Sequence, residues 1–390
     1  MSLIGSGFLT IFSFVFLISI VVVIHELGHY WAGRVCGVHA EAFSMGFGPT
    51  LVSWRDKQGT VWRIAAFPLG GYVKFLGDAG AASEPDEAKL AEIRERMGAD
   101  AEKCYHFKPI WQRAFITAAG PIANFILAVT IFASLALSLG VNYLEPVVGG
   151  FTEESSAEEA GFQVGDRITA INAQPVNRFR DITSEVSWRP GERLIFQVER
   201  DGETLALEAA PTLTIVADSY GGERQIARLG IQSTGIAQRR SFNPLTAIGY
   251  GMDQTWTVVS MTGRYVSYVV TGRSPPTMLN GPLGIATTAG QTAISSVEHG
   301  EDAAQSLFLL LINLVNLAGF LSVGLGLVNL LPIPILDGGH LVYYAYEAVA
   351  RRPLSMKAQA IGFRVGLALV LGMMLVATWN DLNYLLGQIF

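Results

Sequence analysis

The sequence predicts a polytopic α-helical membrane protein of about four transmembrane helices, with a membrane-associated β-loop and an inserted α+β domain. Three observations lead to this prediction. Half of the 390 residues are hydrophobic and only 15% are charged, against roughly a quarter charged in ordinary soluble domains. Several apolar runs reach the ~20 residues that a helix needs to cross a bilayer. One long central segment keeps the composition of a soluble domain.

Four apolar segments are candidates for the spans. The first is uncharged from Leu3 to Ile24, and it lacks the basic start and the small-residue cleavage site of a secretory signal. We therefore expect this segment to be retained as a helix. The last segment contains Asp381 and is otherwise uncharged. The predicted spans are residues 3–30, 114–144, 306–345 and 365–389, and they divide between two membrane parts, residues 1–144 and 306–390.

Basic residues in the short connections predict the orientation, because cytoplasmic loops carry an excess of Lys and Arg. The connections between spans one and two and between spans three and four are both rich in these residues. Both connections are therefore predicted to be cytoplasmic, with both termini and the central domain extracytoplasmic. The net charge of −6 gives no basic surface of the kind that binds nucleic acid. Cys36 and Cys104 are expected to stay reduced on the cytoplasmic side.

The segment between the first two spans contains a predicted β-loop at residues 50–76. Its β-branched and aromatic runs, Thr50–Arg55, Thr60–Phe67 and Tyr72–Phe75, are separated by turn residues. This pattern predicts a small meander of three strands. Residues 78–110 are more polar and are predicted to form a solvated cytoplasmic loop with one helix.

Residues 145–235 alternate short β-type runs with turns such as Asp201-Gly202, which is typical of a soluble α+β domain. Within this segment, Ser156–Ile168 resembles the helix, turn and strand of bacterial PDZ domains. Such domains capture a peptide tail at an open sheet edge, and a spacer or a steric gate is the alternative. Residues 236–305 are predicted to form an amphipathic extracytoplasmic linker. Its segment 243–272 would lie on the outer membrane face or against the PDZ-like domain.

The first span ends in His25-Glu26-Leu27-Gly28-His29. Residues four apart lie on one face of a helix, so both imidazoles point the same way. In metalloproteases with this spacing the histidines bind zinc, and the glutamate takes a proton from the metal-bound water. Ionisable groups at membrane depth are costly and mark function, although a polar cluster that merely caps the helix is the alternative.

A catalytic zinc usually has a third protein ligand, and the residues after the motif offer poor candidates for it. The extended motif of the soluble metzincins needs Gly and His at two positions that hold Ala32 and Val35 in this chain. Nearby side chains of suitable chemistry are Cys36, His39 and Glu41. We expect the cysteine to be a buried thiol and the histidine to lie in a loop.

A more distant carboxylate is the better candidate. Pro332 and Pro334 end the third span, and two prolines at this spacing break a helix. Irregular backbone at membrane depth is tolerated only where protein or water surrounds it. Asp337 follows this break, and His340 is a rival ligand. The alternative role for Asp337 is that of a helix cap.

Taken in order along the chain, these motifs resemble the site-2 protease family, and in particular the bacterial regulator-of-sigma-E protease group. The resemblance covers essentially the whole length. It implies that His25 and His29 are zinc ligands, that Glu26 is the catalytic base, and that Asp337 is the third ligand to Zn2+. Relatives often have two PDZ domains in tandem, whereas this chain has room for one.

Further segments of the resemblance concern substrate. Asn329, Pro332 and Pro334 match the family's NxxPxP segment, in which the asparagine helps to hold substrate. Gly120–Asn124 matches its GxxxN element, and Phe67–Lys74 matches its membrane-associated β-loop. The resemblance therefore implies that a substrate site includes Asn124, Asn329, Pro332, Pro334, Gly70, Gly71 and Tyr72. The two asparagines could equally hold helices together, and the two roles are compatible.

The implied function is hydrolysis of peptide bonds within transmembrane segments of single-span proteins in the bacterial inner membrane, with the zinc near the cytoplasmic side. An anti-sigma factor that another protease has already cut is the expected substrate, and remnant signal peptides are a second class. The expected partners are thus this substrate, the lipid bilayer and a peptide tail at the PDZ-like domain. A non-enzymatic membrane scaffold is the alternative, but a scaffold needs neither Glu26 nor a third carboxylate. A metal transporter would need a chain of polar residues across the spans, which the sequence lacks.

Overall fold

The computed structural model describes most of the chain, namely residues 3–78, 87–96, 98–187, 189–217, 223–235, 237–271 and 281–387. The chain divides into two compact units. The membrane unit comprises Met1–Leu135 and Pro244–Leu382, and the inserted unit comprises Ala136–Asn243 and Asn383–Phe390. Each unit is described by itself.

Four helices are long and apolar enough to cross a membrane, within the part of the chain that the structure describes. They fall in the four predicted regions, with ends that differ by several residues. The first helix continues past residue 30, so the whole motif from His25 to His29 is helical. The four helices are α1 (Leu3–Val35), α3 (Ile110–Leu139), α8 (Ala303–Asn329) and α10 (Met356–Gly387).

The predicted span at residues 306–345 is two helices. After α8 ends at Asn329, the chain runs through a short irregular segment, and α9 covers Asp337–Ala350. Pro332 and Pro334 lie inside this segment. They account for the break, because proline lacks the backbone N–H that a continuing helix needs as a donor. The break puts Asp337 in the first turn of α9.

The predicted three-stranded meander is instead a pair of long antiparallel strands, β1 (Ala40–Arg55) and β2 (Val61–Phe75). Pairing begins at residue 40 rather than residue 50, and Pro68–Gly71 lies within β2 instead of forming a second turn. The register shifts repeatedly along the pair. Glycines with positive φ, such as Gly46 and Gly70, absorb these irregularities, since glycine adopts that conformation at little cost.

The connection between β2 and α3 is partly packed, although the sequence predicted a solvated loop. It contains α2 (Glu87–Arg96) and two short 3-10 helices, Gly98–Lys103 and Tyr105–Phe107. Leu76, Ile93 and Cys104 form a small buried cluster at this connection. Both cysteines are free thiols.

Two helices occupy most of the predicted linker, α6 (Pro244–Val270) and α7 (Pro282–Glu298). Tyr250, Val258 and Val259 of α6 pack on the core that α1, α3 and α8 form. This helix is therefore a packed part of the membrane unit, which neither of the two predicted placements anticipated. The carboxylate of Asp381 on α10 accepts hydrogen bonds from the backbone N–H groups of Gly281 and Gly284 at the start of α7.

Small side chains let the membrane helices approach one another closely, as is usual where lipid supplies no hydrophobic driving force. Ala128, Ala289 and Ala318 are almost completely buried in the core of this unit. Ser322 of α8 donates a hydrogen bond of 2.8 Å to the carbonyl of Asn124 in α3. The chain thus fixes α3 against α8 at the depth of the asparagine.

The inserted unit is an α+β fold built around a four-stranded antiparallel sheet of order β6-β5-β7-β8. Strand β7 alternates buried and exposed side chains, with Leu194, Phe196 and Val198 in the core, as a half-buried strand should. The other pairs are β3–β12, β4–β11 and β9–β10. The elements are β3 (Val141–Leu144), β4 (Val148–Phe151), α4 (Ser156–Glu159), β5 (Arg167–Ile171), β6 (Gln174–Pro175), α5 (Phe179–Val186), β7 (Leu194–Arg200), β8 (Glu203–Ala209), β9 (Thr212–Ala217), β10 (Glu223–Arg228), β11 (Ile231–Ser233) and β12 (Ala237–Arg240).

Two features of this unit were not predicted from the sequence, which gave its bounds as residues 145–235. The ribbon of β3 and β12 lies outside them at both ends. A partly buried ion pair also joins Asp166 to Arg200 at 2.7 Å. Burial alone would raise the pKa of Asp166, but hydrogen bonds from Arg200 and from the Gln163 backbone outweigh it, so the pKa lies below its ordinary value.

Candidate active site

Helix α1 brings the two motif histidines together as their spacing predicts. The rings of His25 and His29 lie 4.8 Å apart between centroids, and their Nε2 atoms are 3.2 Å apart. Both side chains are largely buried. Glu26 lies on the same turn and lines the same cavity. The motif therefore presents two imidazole nitrogens and one carboxylate to one space.

The break between α8 and α9 brings Asp337 to these histidines. Its Oδ2 atom lies 3.2 Å from Nε2 of His25 and 3.5 Å from Nε2 of His29. Its place in the first turn of α9 favours a negative charge, since the helix dipole is positive there. Among the described residues, these three form the one group of His, Cys, Asp or Glu side chains that could hold a metal ion, with ligand atoms within 4.8 Å of one another.

The donor set fits zinc. Bonds of about 2.0–2.1 Å at tetrahedral angles would keep the ligand atoms roughly 3.3 Å apart, and the three separations here are 3.2, 3.2 and 3.5 Å. Asp337 Oδ2 is also buried without a hydrogen-bond partner in the described part of the chain. A buried anionic oxygen is costly when it has no compensating group, and a cation at the centre of the three ligands would compensate it.

Backbone and amide groups orient the two rings. Nδ1 of His29 donates to the carbonyl of Ile116 at 2.9 Å, which leaves Nε2 free to bind a metal. Nδ1 of His25 lies 3.3 Å from the Asn124 amide. A half-turn of this amide would present Oδ1 to His25, and Oδ1 is otherwise buried without a partner among the described atoms. Asn124 is thus placed to hold His25 in the metal-binding tautomer.

Three glycines make room for this arrangement. A Cβ atom on Gly120 would lie 2.2 Å from Nε2 of His29, and one on Gly28 would lie 2.4 Å from the Ala119 carbonyl oxygen. On Gly71, a Cβ would lie 3.2 Å from Cγ of Glu26. The first two close contacts let α1 and α3 pack backbone to backbone at the depth of the histidines, and the third brings β2 against Glu26.

A cavity of about 200 Å³ surrounds the three candidate ligands and Glu26. Some of the predicted substrate residues line this cavity and others do not. Gly71, Tyr72 and Asn329 line the cavity, so β2 and the end of α8 form part of its wall. The lining also includes Val73, Phe75, Tyr105, Ile116, Thr117, Ile335, Leu336, His340 and Tyr344.

The remaining predicted substrate residues do not line this cavity. Asn124 is completely buried behind His25. Gly70 lies where a Cβ would meet the ring of Phe47. Pro334 lies close to α10: a Cβ atom on Gly366 of that helix would lie 3.2 Å from Cδ of Pro334. Pro332 is exposed in the irregular segment.

Three of the four rival metal ligands lie away from the cavity. Glu41 pairs with Lys74 at 3.6 Å, His39 lies near Gly59 at the turn of the β-hairpin, and Cys36 is absent from the cavity lining. His340 does line the cavity, one turn beyond Asp337, but it is outside the three-residue ligand group.

Sequence reasoning missed a polar network in the cavity wall. The Tyr105 hydroxyl lies 2.7 Å from the Tyr344 hydroxyl and 2.9 Å from that of Thr117. Next to them, Arg113 donates to Glu347 at 2.7 Å, which ties α3 to α9. The sequence does show charged residues at the predicted ends of the spans. It gives no local sign, however, that residues more than two hundred positions apart form pairs.

Known proteins match this chain at different strengths. The PDZ domain of an SdrC-like protein from Listeria monocytogenes aligns with 24% of this chain and 93% of that one, at 16% identity and a TM-score of 0.19. That likeness is too weak to establish the fold of the inserted unit. Whole-length relatives are much closer in sequence.

Metalloprotease MmpA of Caulobacter vibrioides is 45% identical over 97% of this chain and 96% of its own length. A relative from Agrobacterium fabrum is 41% identical over 98% of both chains, and one from Rhizobium meliloti is 40% identical over 97% of both. Both of the latter carry the words zinc metalloprotease in their names. The profile of peptidase family M50 matches residues 13–373. The chain therefore belongs to peptidase family M50, the site-2 protease family, and is a membrane-bound metalloendopeptidase whose cofactor is zinc.

Proposed function

We propose that this protease hydrolyses peptide bonds within the transmembrane segments of single-span membrane proteins. One observation carries the proposal: His25 and His29 lie within α1, a helix long and apolar enough to cross a membrane, and they converge there with Asp337 from the first turn of α9, beside Glu26. The uncharged stretch before His25 is 22 residues long from Leu3 to Ile24. At 1.5 Å per residue it covers about 33 Å, the thickness of a hydrocarbon core.

The proposed roles follow from the chemistry of each side chain. His25, His29 and Asp337 hold the zinc, which when bound supplies Lewis acidity to a water molecule and to the scissile carbonyl. Glu26 accepts a proton from the attacking water and delivers it to the leaving amine nitrogen. Ile116 and Asn124 fix the histidine rings and touch no reacting atom. Asn124 is therefore proposed to position His25, in place of the predicted contact with substrate.

A helical substrate must unwind before its peptide bonds can be cut, because its N–H and C=O groups are bonded within the helix. Strand β2 passes the cavity at Gly71 and Tyr72, and its backbone could pair with an unwound segment by strand addition. Asn329 at the end of α8 offers an amide to the same segment. Gly70, Pro332 and Pro334 do not line the cavity, so they would direct the backbone around it without contacting the reacting bond.

The wider biology is part of the proposal. The excess of Lys and Arg in the connections supports a zinc site near the cytoplasmic side of a bacterial inner membrane, with both termini and the inserted unit outside. The inserted unit would act as a PDZ-like domain that receives a peptide tail, or as a gate that excludes uncut proteins. An anti-sigma factor trimmed by a first protease is the proposed substrate, and remnant signal peptides are a second class.

Reconstitution tests the proposal. Purified protein in liposomes would be given a single-span reporter, and mass spectrometry would locate the cleaved bond. We expect cleavage inside the reporter's transmembrane segment and an activity at least ~10³-fold lower in Glu26→Gln, with zinc content unchanged. Glu41→Gln is the matched control, because Glu41 pairs with Lys74 away from the cavity.

Two results would contradict the proposal. Full activity of Glu26→Gln would remove this residue from the base role. Cleavage confined to the soluble part of the reporter would show a metalloprotease that does not act within the membrane.

A further inference from the structure

Three hydroxyl groups meet in the wall of the metal cavity, on side chains that the proposed mechanism does not use. They belong to Tyr105, Thr117 and Tyr344, all of which line the cavity. The Tyr105 hydroxyl lies 2.7 Å from that of Tyr344 and 2.9 Å from that of Thr117. We call these three side chains the hydroxyl cluster. It joins the short 3-10 helix Tyr105–Phe107 to α3 and to α9.

Tyr105 is the centre of the hydroxyl cluster, and its side chain is also held from outside the cluster. It is only 3% exposed, and its ring stacks on that of Phe75 in β2, with 5.5 Å between the centroids. A phenol hydroxyl both donates and accepts hydrogen bonds, so this one group can bond to both of its partners. A buried hydroxyl that lost its partners would be costly. The cluster is therefore a firm connection between the three elements that carry it.

The α3 end of the hydroxyl cluster is next to the group that orients His29. Thr117 follows Ile116, whose carbonyl accepts a hydrogen bond of 2.9 Å from His29 Nδ1. A shift of the Thr117 backbone would move the Ile116 carbonyl with it, because a planar peptide bond joins the two residues. Thr117 is also buried, so water has little access to its hydroxyl. The cluster thus acts on the backbone that fixes the His29 ring.

The α9 end of the hydroxyl cluster is on the helix that carries Asp337. Tyr344 lies two helical turns after Asp337, on the same face of α9. The chain before Asp337 is irregular, so contacts further along α9 help to fix its first turn. Arg113 of α3 adds a second connection, since its guanidinium lies 5.0 Å from the centroid of the Tyr344 ring and donates to Glu347 at 2.7 Å.

We propose that Tyr105 and Tyr344 are positioning residues for the metal site. Their hydrogen bond clamps α9 to α3 and so sets the separation of Asp337 Oδ2 and His29 Nε2, which is 3.5 Å. A metal site of defined geometry needs its ligands held to within about 0.5 Å by the packing and hydrogen bonds around them. Neither tyrosine needs to touch substrate or metal for this role, which rests on the proposed function of Asp337 as a ligand.

The experiment measures metal binding by the full-length protein, without substrate. Co2+ binds to the same kinds of ligand as zinc, and its visible absorption reports the number and geometry of those ligands, while competition with a chelator gives the zinc affinity. The test variants are Tyr105→Phe, Tyr344→Phe and the double variant, which keep the rings and remove the hydroxyls. The matched control is Tyr343→Phe on the same helix, because that hydroxyl is buried without a hydrogen-bond partner in the described part of the chain.

Each single test variant should bind zinc about 10-fold more weakly, at the lower end of the effect of losing an outer partner of a metal ligand. The visible bands of bound Co2+ should shift as well. The double variant should lose no more than Tyr105→Phe alone, because both substitutions remove the same hydrogen bond. Tyr343→Phe should bind both metals as the wild type does. With zinc in excess, the KM for a reporter substrate should not change.

Thr117 gives a second test from the α3 side, which remains informative if a tyrosine variant does not fold. Thr117→Val removes the hydroxyl, whereas Thr117→Ser keeps it. We expect Thr117→Val to weaken zinc binding by a similar factor and Thr117→Ser to bind zinc as the wild type does. Hydrogen exchange in α3 and α9 reports whether each variant is folded.

Two results in the tyrosine variants would overturn the proposal. Unchanged zinc affinity and Co2+ bands would exclude a positioning role, and a higher KM with an unchanged metal site would show that the hydroxyls bind substrate instead. Asp337→Asn is measured in parallel. If it loses metal affinity while the tyrosine variants keep theirs, the positioning role alone fails. If it also keeps full affinity, the ligand role of Asp337 fails, and the positioning role fails with it.

Discussion

The membrane unit and the inserted unit each hold a carboxylate among nitrogen atoms, and they compensate its charge in different ways. In the inserted unit, Asp166 is 1% exposed and accepts two hydrogen bonds from Arg200, at 2.7 and 2.8 Å, and one from the Gln163 backbone. In the membrane unit, Asp337 meets His25 and His29 at 3.2 and 3.5 Å, and its Oδ2 has no hydrogen-bond partner in the described structure.

This difference separates a carboxylate that holds the fold together from one that is placed to bind a metal. A buried charge with a complete set of donors holds its fold together, and removing one partner is costly. A buried carboxylate beside two imidazole nitrogens has the ligand set of a metal site, and a bound cation would compensate its charge. The same substitution, aspartate to asparagine, should therefore have different consequences in the two units: loss of zinc binding in one and loss of stability in the other.

The largest effect is expected for Asp337→Asn. A neutral amide oxygen is a poor zinc ligand, and the loss of one of three ligands should weaken zinc binding by at least ~100-fold and abolish proteolysis. Zinc content by mass spectrometry and reporter cleavage measure both. Asp201→Asn is the control, because Asp201 sits at a φ of +52° in an exposed turn that asparagine also tolerates. An unchanged zinc content in Asp337→Asn would exclude this residue from the site.

Gly120→Ala tests the space around the ligands. The added methyl group would lie 2.2 Å from His29 Nε2 and 2.9 Å from His25 Cε1, so at least one ring must move. We expect a loss of activity of about 10²-fold, because small misplacements at a reacting centre have effects of this order. Gly324→Ala in α8 is the matched control, since a Cβ there meets nothing within 4 Å. Equal activity of the two variants would contradict the proposed geometry.

Asn124→Ala removes an orienting group without touching a ligand atom. Loss of such a partner typically weakens metal affinity by about 10–100-fold, and competition with a zinc chelator would measure it. Asn313→Ala is the control, because that amide donates to Ser296 between α7 and α8, away from the zinc site. It should lower thermal stability without changing zinc affinity. If both variants keep full affinity, Asn124 serves only helix packing.

The smallest effect on zinc, and the largest on the inserted unit, is expected for Asp166→Asn. Arg200 would lose its charged partner, and the unit should lose about 1–3 kcal/mol of stability, seen as faster hydrogen exchange in β5 and β7 of the full-length protein. Zinc content should not change. Loss of zinc in this variant would break the contrast between the two units.

The pH dependence of the inserted unit should follow the same carboxylate. Its pKa is lowered in the folded unit by Arg200 and the Gln163 backbone. Its contribution to stability is therefore complete above the unfolded value of about 3.9 and is lost as the pH falls below it. In the wild type, the protection of β5 and β7 against hydrogen exchange should therefore fall over the same pH range. Asp166→Asn should not show this loss of protection.

Local patterns predicted much of the membrane unit, because a span and a helical i, i+4 pair depend only on neighbouring residues. The four spans and the motif His25–His29 followed from hydropathy and helix periodicity. The prolines predicted the break before Asp337 for the same reason. The β-loop was predicted less well: Gly70 belongs to the predicted turn Pro68–Gly71, yet it lies within β2, in a strand pair whose register shifts. A glycine that absorbs a register shift and a glycine that forms a turn are locally alike.

The sequence by itself therefore determined that this is a membrane protein with half of a candidate zinc site on one helix, because these features depend only on the spacing of neighbouring residues. The tertiary structure decided which of several carboxylates and imidazoles meets that half-site. It brings Asp337, which the sequence already favoured, to the two histidines and leaves Glu41, Cys36 and His39 outside the group, and it supplies the Ile116 carbonyl, the Asn124 amide and the space at Gly120. These choices depend on contacts between residues far apart in the chain, which only the packing of α1, α3 and α9 brings together.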